Sequence, residues 1–462
     1  MQKRGWRMAF TLWAAVQSVA ETPIWPPAWP DGSRGTVQLM TSDFLVVPPE
    51  VSALSQEPGA APFTVARHPP RLELVYHDHL PHPALNGTGW SSWGDICVAS
   101  DGRVYCGIGD HGNNQTGAHC FIYRWDPRLS RLTQVVDVNA VTPPKPGTPW
   151  WSKIHARILE DADGGILFVG TLNDGGRAYT FQWTRETPGA PIFRLDPKTD
   201  EVTVIGHLPG ACTATTLGDP RRRMLYLMLE GRQAGATAFA AFDLAALQFV
   251  FISPDDAVTQ NRNMAIARNG VLYFNGQGPA LWTYDPKQRA IRPTTMTLPG
   301  GAFMRASTDE TPDGWIYGVT FWGKEGHHHL FRFAPAEERV EMLGPTFLSG
   351  EYTTVAVLSP DARFVYYLPG AHGSAWKIGT PVVQYDTKKG IRKVLAFLRD
   401  PCKARFGYVP AGTYGVKISS DGATLYINFN GHADDPFRLP GMKATGFGLT
   451  AFAALHIPSE ER

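Results

Sequence analysis

Histidine, arginine and tyrosine placement carries the chemical information in this chain. Fourteen histidines are spread over 462 residues. Several interrupt glycine-rich phrases: His111 in GIGDHGNN, His372 in PGAHG, His432 in FNGHADD, and the triplet His327-His328-His329. His155 opens an apolar phrase, KIHAR, in which alternation puts Arg157 on the same side of an extended chain. Comparable positions further along hold Arg262-Asn263, Arg305, Tyr352 and Tyr414. Neighbouring imidazoles either hold a transition metal or serve as bases near neutral pH. Arginine clamps a carboxylate through two parallel hydrogen bonds, and tyrosine can deliver a proton. A base, a clamp and an acid together suit proton abstraction α to a carboxylate, followed by elimination. On this reading Arg305, Arg262 or Arg157 is the clamp and Tyr352 or Tyr414 the acid, with the histidines as candidate bases. Arg157, Arg262, Asn263 and Tyr414 line the ligand, and His372 and His432 are candidate ligands for a divalent metal ion. Any one of these histidines is more simply a solvated loop residue. Their convergence on one place is what would make a site.

That convergence depends on the elements between them. One unit is written seven times: a short apolar strand, a turn carrying Asp, Asn, Gly or Pro, and a second apolar strand bearing Tyr or Phe. The turns are ASDGR, DADGG, LGDPR, ARNGV, TPDGW, SPDAR and SSDGA, at Asp101, Asp163, Asp219, Asn269, Asp313, Asp361 and Asp421. The strands behind them read VYCG, ILFVG, MLYLM, VLYFN, WIYGV, FVYYL and TLYIN, a hairpin pattern with β-branched and aromatic flanks. A third strand follows each second one and ends in a corner such as YRWDP, FRLDP or WTYDP; after six of the seven corners comes a fourth strand. The turns recur every 44 to 62 residues, the length of a four-stranded propeller blade with its loops. An all-β, seven-bladed β-propeller of four-stranded antiparallel blades is the expected fold.

The seventh unit lacks its fourth strand, because the chain ends shortly after TAFAALHIP. RLELVYHDHL, which begins at Arg71 before the first unit, has the pattern of such an outer strand. Residues 71–78 are therefore expected to pair near Leu449–His456 and close the ring, which removes an exposed sheet edge. The expected layout is a signal peptide at 1–20, a Pro-rich arm at 21–70, the propeller at 71–457 and a tail at 458–462. Lys3, Arg4 and Arg7 precede a short apolar run ending in Ser18-Val19-Ala20, which has the form of a leader for export. A secreted or periplasmic location follows as an expectation. In an oxidising compartment, a two-residue turn at Asp101-Gly102 would bring Cys97 and Cys106 face to face for a disulfide. The count of five cysteines is odd, so at least one has no partner within the chain.

Composition narrows the function classes. Lys plus Arg is 43 and Asp plus Glu 42, so no net field recruits nucleic acid or an anionic membrane. No later stretch is long and apolar enough for a membrane span. Zinc-ribbon, P-loop, nucleophile-elbow and dinucleotide fingerprints are missing from the sequence. DADG at Asp161–Gly164 lacks the spaced ligands and distant Glu of a calcium loop and is expected to be a plain turn. Trp150-Trp151, Trp183, Trp322 and Trp376 could stack on sugar rings or pack between blades.

The blade phrase IFRLDPKTDEVTVIGHLPG resembles the repeats of streptogramin lyase-like seven-bladed propellers. The His-, Tyr- and Arg-lined mouth is similar to that of secreted propeller lyases such as oligogalacturonate, ulvan and rhamnose–glucuronate lyases. The resemblance implies that a His or Tyr near the channel abstracts a proton while Arg, or a metal, neutralises the carboxylate. By position it implies that His111 and His155, in the catalytic set with Arg305 and Tyr352, carry the base and its helper, with Asn173 or Arg177, in the adjoining LNDGGR, as clamp. It implies a monomeric lyase acting on acidic oligo- or polysaccharides. Two other readings stay open: a non-catalytic glycan- or protein-binding propeller, and a metal-dependent hydrolase or lactonase.

Overall fold

The computed structural model describes residues 25–81, 89–110, 117–144, 150–171, 188–231, 236–321, 328–433 and 447–462. The seven repeats each form one antiparallel sheet, and the sheets are arranged in a ring. Blade 1 comprises Cys97–Val98, Val104–Gly109, Cys120–Asp126 and Arg131–Asp137, from the axis outwards. The inner strands of blades 2, 3, 4 and 5 are Leu159–Glu160, Thr216–Asp219, Val258–Ile266 and Phe303–Glu310. Those of blades 6 and 7 are Val357–Leu358 and Tyr408–Ile418.

The turn residues act as the repeat pattern requires. Asp101, Asp163, Asn269, Asp361 and Asp421 each accept a hydrogen bond from the backbone N–H two residues on, the Asx turn that ends a strand locally. DADG is one of these turns, as expected. Behind them the second strands are buried on both faces and fill the spaces between blades; Phe274 of the second strand of blade 4, for example, stacks on Phe239 of the third strand of blade 3, the rings 5.1 Å apart.

Blade 7 is completed from the other end of the chain. Arg71–Tyr76 pairs antiparallel with Leu449–His456, with Arg71 opposite His456 and Tyr76 opposite Ala451. The arm continues the sheet: Val37–Met40 pairs with Arg71–Tyr76 as a fifth strand. A second arm strand, Phe63–Val65, adds in parallel to Arg392–Phe397 of blade 6. The C-terminal residues are tied to the same region. Buried Glu461 accepts hydrogen bonds from the Arg67 and His68 amides at 2.6 and 3.0 Å and from Lys393 Nζ at 2.6 Å.

The disulfide expectation fails, and the reason is a one-residue register shift. Cys97 faces Tyr105 and Val98 faces Val104, because the loop spans Ala99 to Arg103, with Gly102 at φ 86° donating back to the Ala99 carbonyl. A shift of one residue sends a side chain to the other face of the sheet. Cys97 packs towards blade 2, while Cys106 packs towards blade 7, its Sγ 3.6 Å from His77 Nε2. All five cysteines are buried free thiols. No helix among the described residues is long and apolar enough to cross a membrane.

Candidate functional site at the channel mouth

Inner strands converge on the axis so tightly that side-chain volume is rationed there. A Cβ on Gly94 would come within 2.6 Å of the Ala156 carbonyl oxygen, so blades 1 and 2 can approach only with glycine at that position. Just above this belt, six blades contribute one or more large polar or aromatic side chains. Trp93 comes from blade 1, Lys153, His155 and Arg157 from blade 2, and Arg262 from blade 4. Arg305 comes from blade 5, Tyr352 and His372 from blade 6, and Tyr414 from blade 7. Blade 3 contributes a backbone group, the Ala214 carbonyl.

Half-buried His155 is held at both ring nitrogens. Nδ1 is 2.9 Å from the Ala214 oxygen and Nε2 is 2.7 Å from Arg262 Nη1. A guanidinium only donates, so Nε2 is the acceptor and Nδ1 carries the proton. The ring is neutral. Its pKa is held well below the usual histidine range, first by burial and then by the charges of Arg262 and Lys153, with a smaller effect from Arg305. His372, at the exposed rim, is pushed down to about 4 by desolvation and by Arg305, Arg262 and Lys153.

Arg305 donates from Nε to the Tyr352 hydroxyl at 2.8 Å and from Nη1 to the Thr354 carbonyl at 3.3 Å. Tyr352 therefore accepts from a cation through its hydroxyl oxygen. The Tyr414 hydroxyl lies beside that of Tyr352 without a hydrogen bond of normal geometry. Burial raises the Tyr414 pKa well above the usual value, so that phenol stays protonated. Arg157 lies deeper. It donates to Asn263 Oδ1 at 2.6 Å, and Asn263 donates to Ser307 Oγ at 2.9 Å, a chain that braces blades 2, 4 and 5. Two cavities, of about 30 and 50 Å³, adjoin Arg157 on either side along the channel. Each has room for only a few waters, so a sugar ring would have to sit above them with only its substituents reaching in.

Among the described residues the hydrogen bonds of Arg157, Arg262 and Arg305 go to neutral groups. Asp95, the carboxylate lining the upper cavity, is 2.6 Å from Lys417 Nζ. Aromatic walls surround these cations. Trp93 lies 4.9 Å from Tyr414 and 5.4 Å from Phe447, with Lys153 Nζ 4.3 Å above its ring. Tyr352 stacks on His372 at 5.1 Å and meets Phe321 and His328 edge-on. The arrangement can hold a carboxylate between two guanidiniums and present a neutral imidazole and two phenols to its neighbouring atoms.

Of the expected site residues, the structure brings together His155, Arg262, Arg305, Tyr352, Tyr414 and His372, and places Arg157 and Asn263 beneath them. His111, Asn173 and Arg177 lie outside the described residues. His432, opposite Val409 in the second strand of blade 7, has its ring against Trp376 at 6.2 Å. Among the described residues no group of three or more His, Cys, Asp and Glu side chains could hold a metal ion, and His372 sits among charges that oppose another cation. These residues do not fit the divalent metal expected of His372 and His432. Sequence reasoning missed Trp93 and Lys153. Both were accessible: WGD precedes the first inner strand as HAR precedes the second, and Lys153 is one alternation before His155.

No protein-family model and no curated protein sequence matches the chain. Solved structures do. An oligogalacturonate lyase in complex with manganese shares 11% identity, with a TM-score of 0.50, over 92% of this chain and 99% of that one. The oligogalacturonate lyase of Vibrio parahaemolyticus shares 10%, with a TM-score of 0.51, over 93% and 100%. At such identities the likeness is one of fold: this chain is a seven-bladed β-propeller similar in architecture to those enzymes.

Proposed function

We propose that the protein is a lyase that cleaves uronic-acid-containing oligo- or polysaccharides by β-elimination at the channel mouth, acting outside the cytoplasm as a monomer. The observation that carries this reading is the pairing of two guanidiniums, with no carboxylate bonded to them among the described residues, and a neutral imidazole within one aromatic-walled opening. Arg262 and Arg305 would take the uronate carboxylate, and charge neutralisation there acidifies the adjacent C5–H. His155 Nε2 would accept that proton. The electron pair passes through the carboxylate-stabilised carbanion to form the C4=C5 double bond as the C4–O bond breaks. Tyr352 or Tyr414 would protonate the departing oxygen. The fold shared with two oligogalacturonate lyases supports the substrate class, and the leader-like start of the chain supports export. No step is routed through a metal, because the described residues do not fit one.

Ultraviolet absorbance during incubation with a panel of uronic polysaccharides and oligosaccharides tests the proposal. The expected result is a rising absorbance from an unsaturated product. Retention of a uronic glycan on the protein without product would instead make it a binding propeller. Hydrolysis that stops on adding a chelator, with no unsaturated product, would make it a metal-dependent hydrolase or lactonase.

A further inference from the structure

We infer that Arg262 is a gate on His155, opened by the carboxylate of the substrate, so that a free uronate unmasks the base and a neutral derivative of the same sugar does not. The chemical consequence rests on the lyase reading above, but the gate itself is a property of the ligand-free geometry. The lone pair of His155 that would take a proton is Nε2, and it is occupied by Arg262 Nη1 at 2.7 Å. The other nitrogen is spent on the Ala214 carbonyl. In this state the imidazole has no free lone pair. Arg262 reaches it from the inner strand of blade 4, two blades away in chain order, and has no carboxylate partner of its own among the described residues.

A guanidinium bound to a neutral nitrogen holds one charge-assisted hydrogen bond. A carboxylate offers it two, with opposite charge, and binds it more strongly. An arriving uronate therefore draws Arg262 from Nε2 to itself, whereas an ester or amide, being neutral, offers no such competition. Two things change together at His155: a lone pair is released, and the nearest positive charge is neutralised. The charged and titratable groups facing His155 are Lys153 and Arg157 on its own segment, Arg262, Arg305, Tyr414, and Asp95, which is paired with Lys417. Lys153 and Arg305 still oppose protonation when Arg262 has moved, so the base is restored only part of the way. Arg262 is thus a positioning residue that makes the substrate's charge a condition for turnover, beyond contributing to its affinity.

Imidazole NMR titration of the full-length protein tests this, with the His155 signal assigned from its loss in His155→Gln. In the ligand-free protein the signal should titrate well below ordinary histidine. Saturating sodium galacturonate should raise its midpoint by about one pH unit or more, while galacturonamide should leave it in place. Arg262→Gln should show the raised midpoint without ligand and respond little to galacturonate; Arg262→Lys should fall between. A midpoint in Arg262→Gln equal to that of the unmodified protein overturns the gate. So does a midpoint that galacturonate does not move, whether or not the sugar binds. The ligand arm needs no variant, so a misfolded Arg262→Gln does not spare the inference. If the midpoint moves but no uronic glycan gives unsaturated product, the gate stands and the lyase reading fails. Product formation with an unmoved midpoint fails the gate alone.

Discussion

Two histidines in this molecule are held neutral by different combinations of effects, one at the channel mouth by burial and neighbouring cations and one in the seam where the ring closes by burial alone. His155 is neutral in a half-open site where neighbouring cations add to the effect of burial. His77 is fully buried at the end of the closing strand, beside Cys106 and edge-on to the Tyr123 ring at 4.8 Å, and burial alone pushes its pKa down to about 4. A shift imposed by charge can be undone by a ligand of opposite charge, whereas one imposed by burial can be undone only by opening the seam. The first belongs to function and the second to stability.

The largest effect is expected at the mouth. His155→Gln should lower turnover on a uronic substrate by roughly two to four orders of magnitude, with an unchanged circular-dichroism spectrum and melting temperature within a few degrees. Full activity in that variant would remove His155 from the chemistry. Arg305→Ala should lower kcat and raise KM together, because the clamp binds the carboxylate in the ground state and holds more strongly the charge that gathers on it in the transition state. The loss of its bond to Tyr352 should add to the drop in kcat. A change confined to KM would mean that Arg305 contributes only uniform binding.

The next largest effect lies in the seam and is read as stability against pH. His77 has its folded pKa near 4 and an unfolded value near 6.5, so its contribution is fully present above pH 6.5 and is lost as pH falls towards 4. Between pH 6.5 and 5 the loss should be about 2 kcal/mol, measured as the shift in urea midpoint. His77→Phe keeps the ring volume and cannot take a proton, so it should flatten that part of the profile. It should leave turnover at neutral pH unchanged. An equally steep profile in His77→Phe would place the acid sensitivity elsewhere.

How much of this could be read beforehand differs along the chain for physical reasons. The seven turns were legible because a tight turn, an Asx turn in five of them, needs only its own residues: an Asp or Asn, a short loop and flanking apolar strands. The outer strand of blade 7 could be identified because Arg71–Tyr76 has the same pattern as the other outer strands and the chain leaves one strand unsupplied. Inner-strand starts could be aligned between blades, and the side chains so aligned, His155, Arg262, Arg305, Tyr352 and Tyr414, lie together at one mouth. Hairpin register was not legible to one residue, and the Cys97–Cys106 pair was misjudged for that reason alone. The Arg262–His155 bond was out of reach too, because it depends on how far a long side chain leans across the axis and no local pattern encodes that.

The smallest effect is expected from a third histidine, which shares the seam with His77 but not its burial. His456 stands opposite Arg71 on the closing pair of strands. Its Nε2 is 3.3 Å from Glu73 Oε1 and its Nδ1 is 3.2 Å from Thr424 Oγ1. Glu73 is already engaged by Arg71 at 2.5 Å, so removing the imidazole does not strand a buried carboxylate. The ring is about one-third exposed, and a half-solvated pair of this kind contributes little once screening is counted. Its pKa is lowered, chiefly by burial and then by Arg71, against the pull of Glu73, so it carries little charge at neutral pH. His456→Ala should therefore cost no more than about 1 kcal/mol and leave kcat and KM at their original values. A loss of turnover comparable to that of His155→Gln would mean that disturbance of the closing strands reaches the mouth, and the division between a functional and a structural histidine would collapse.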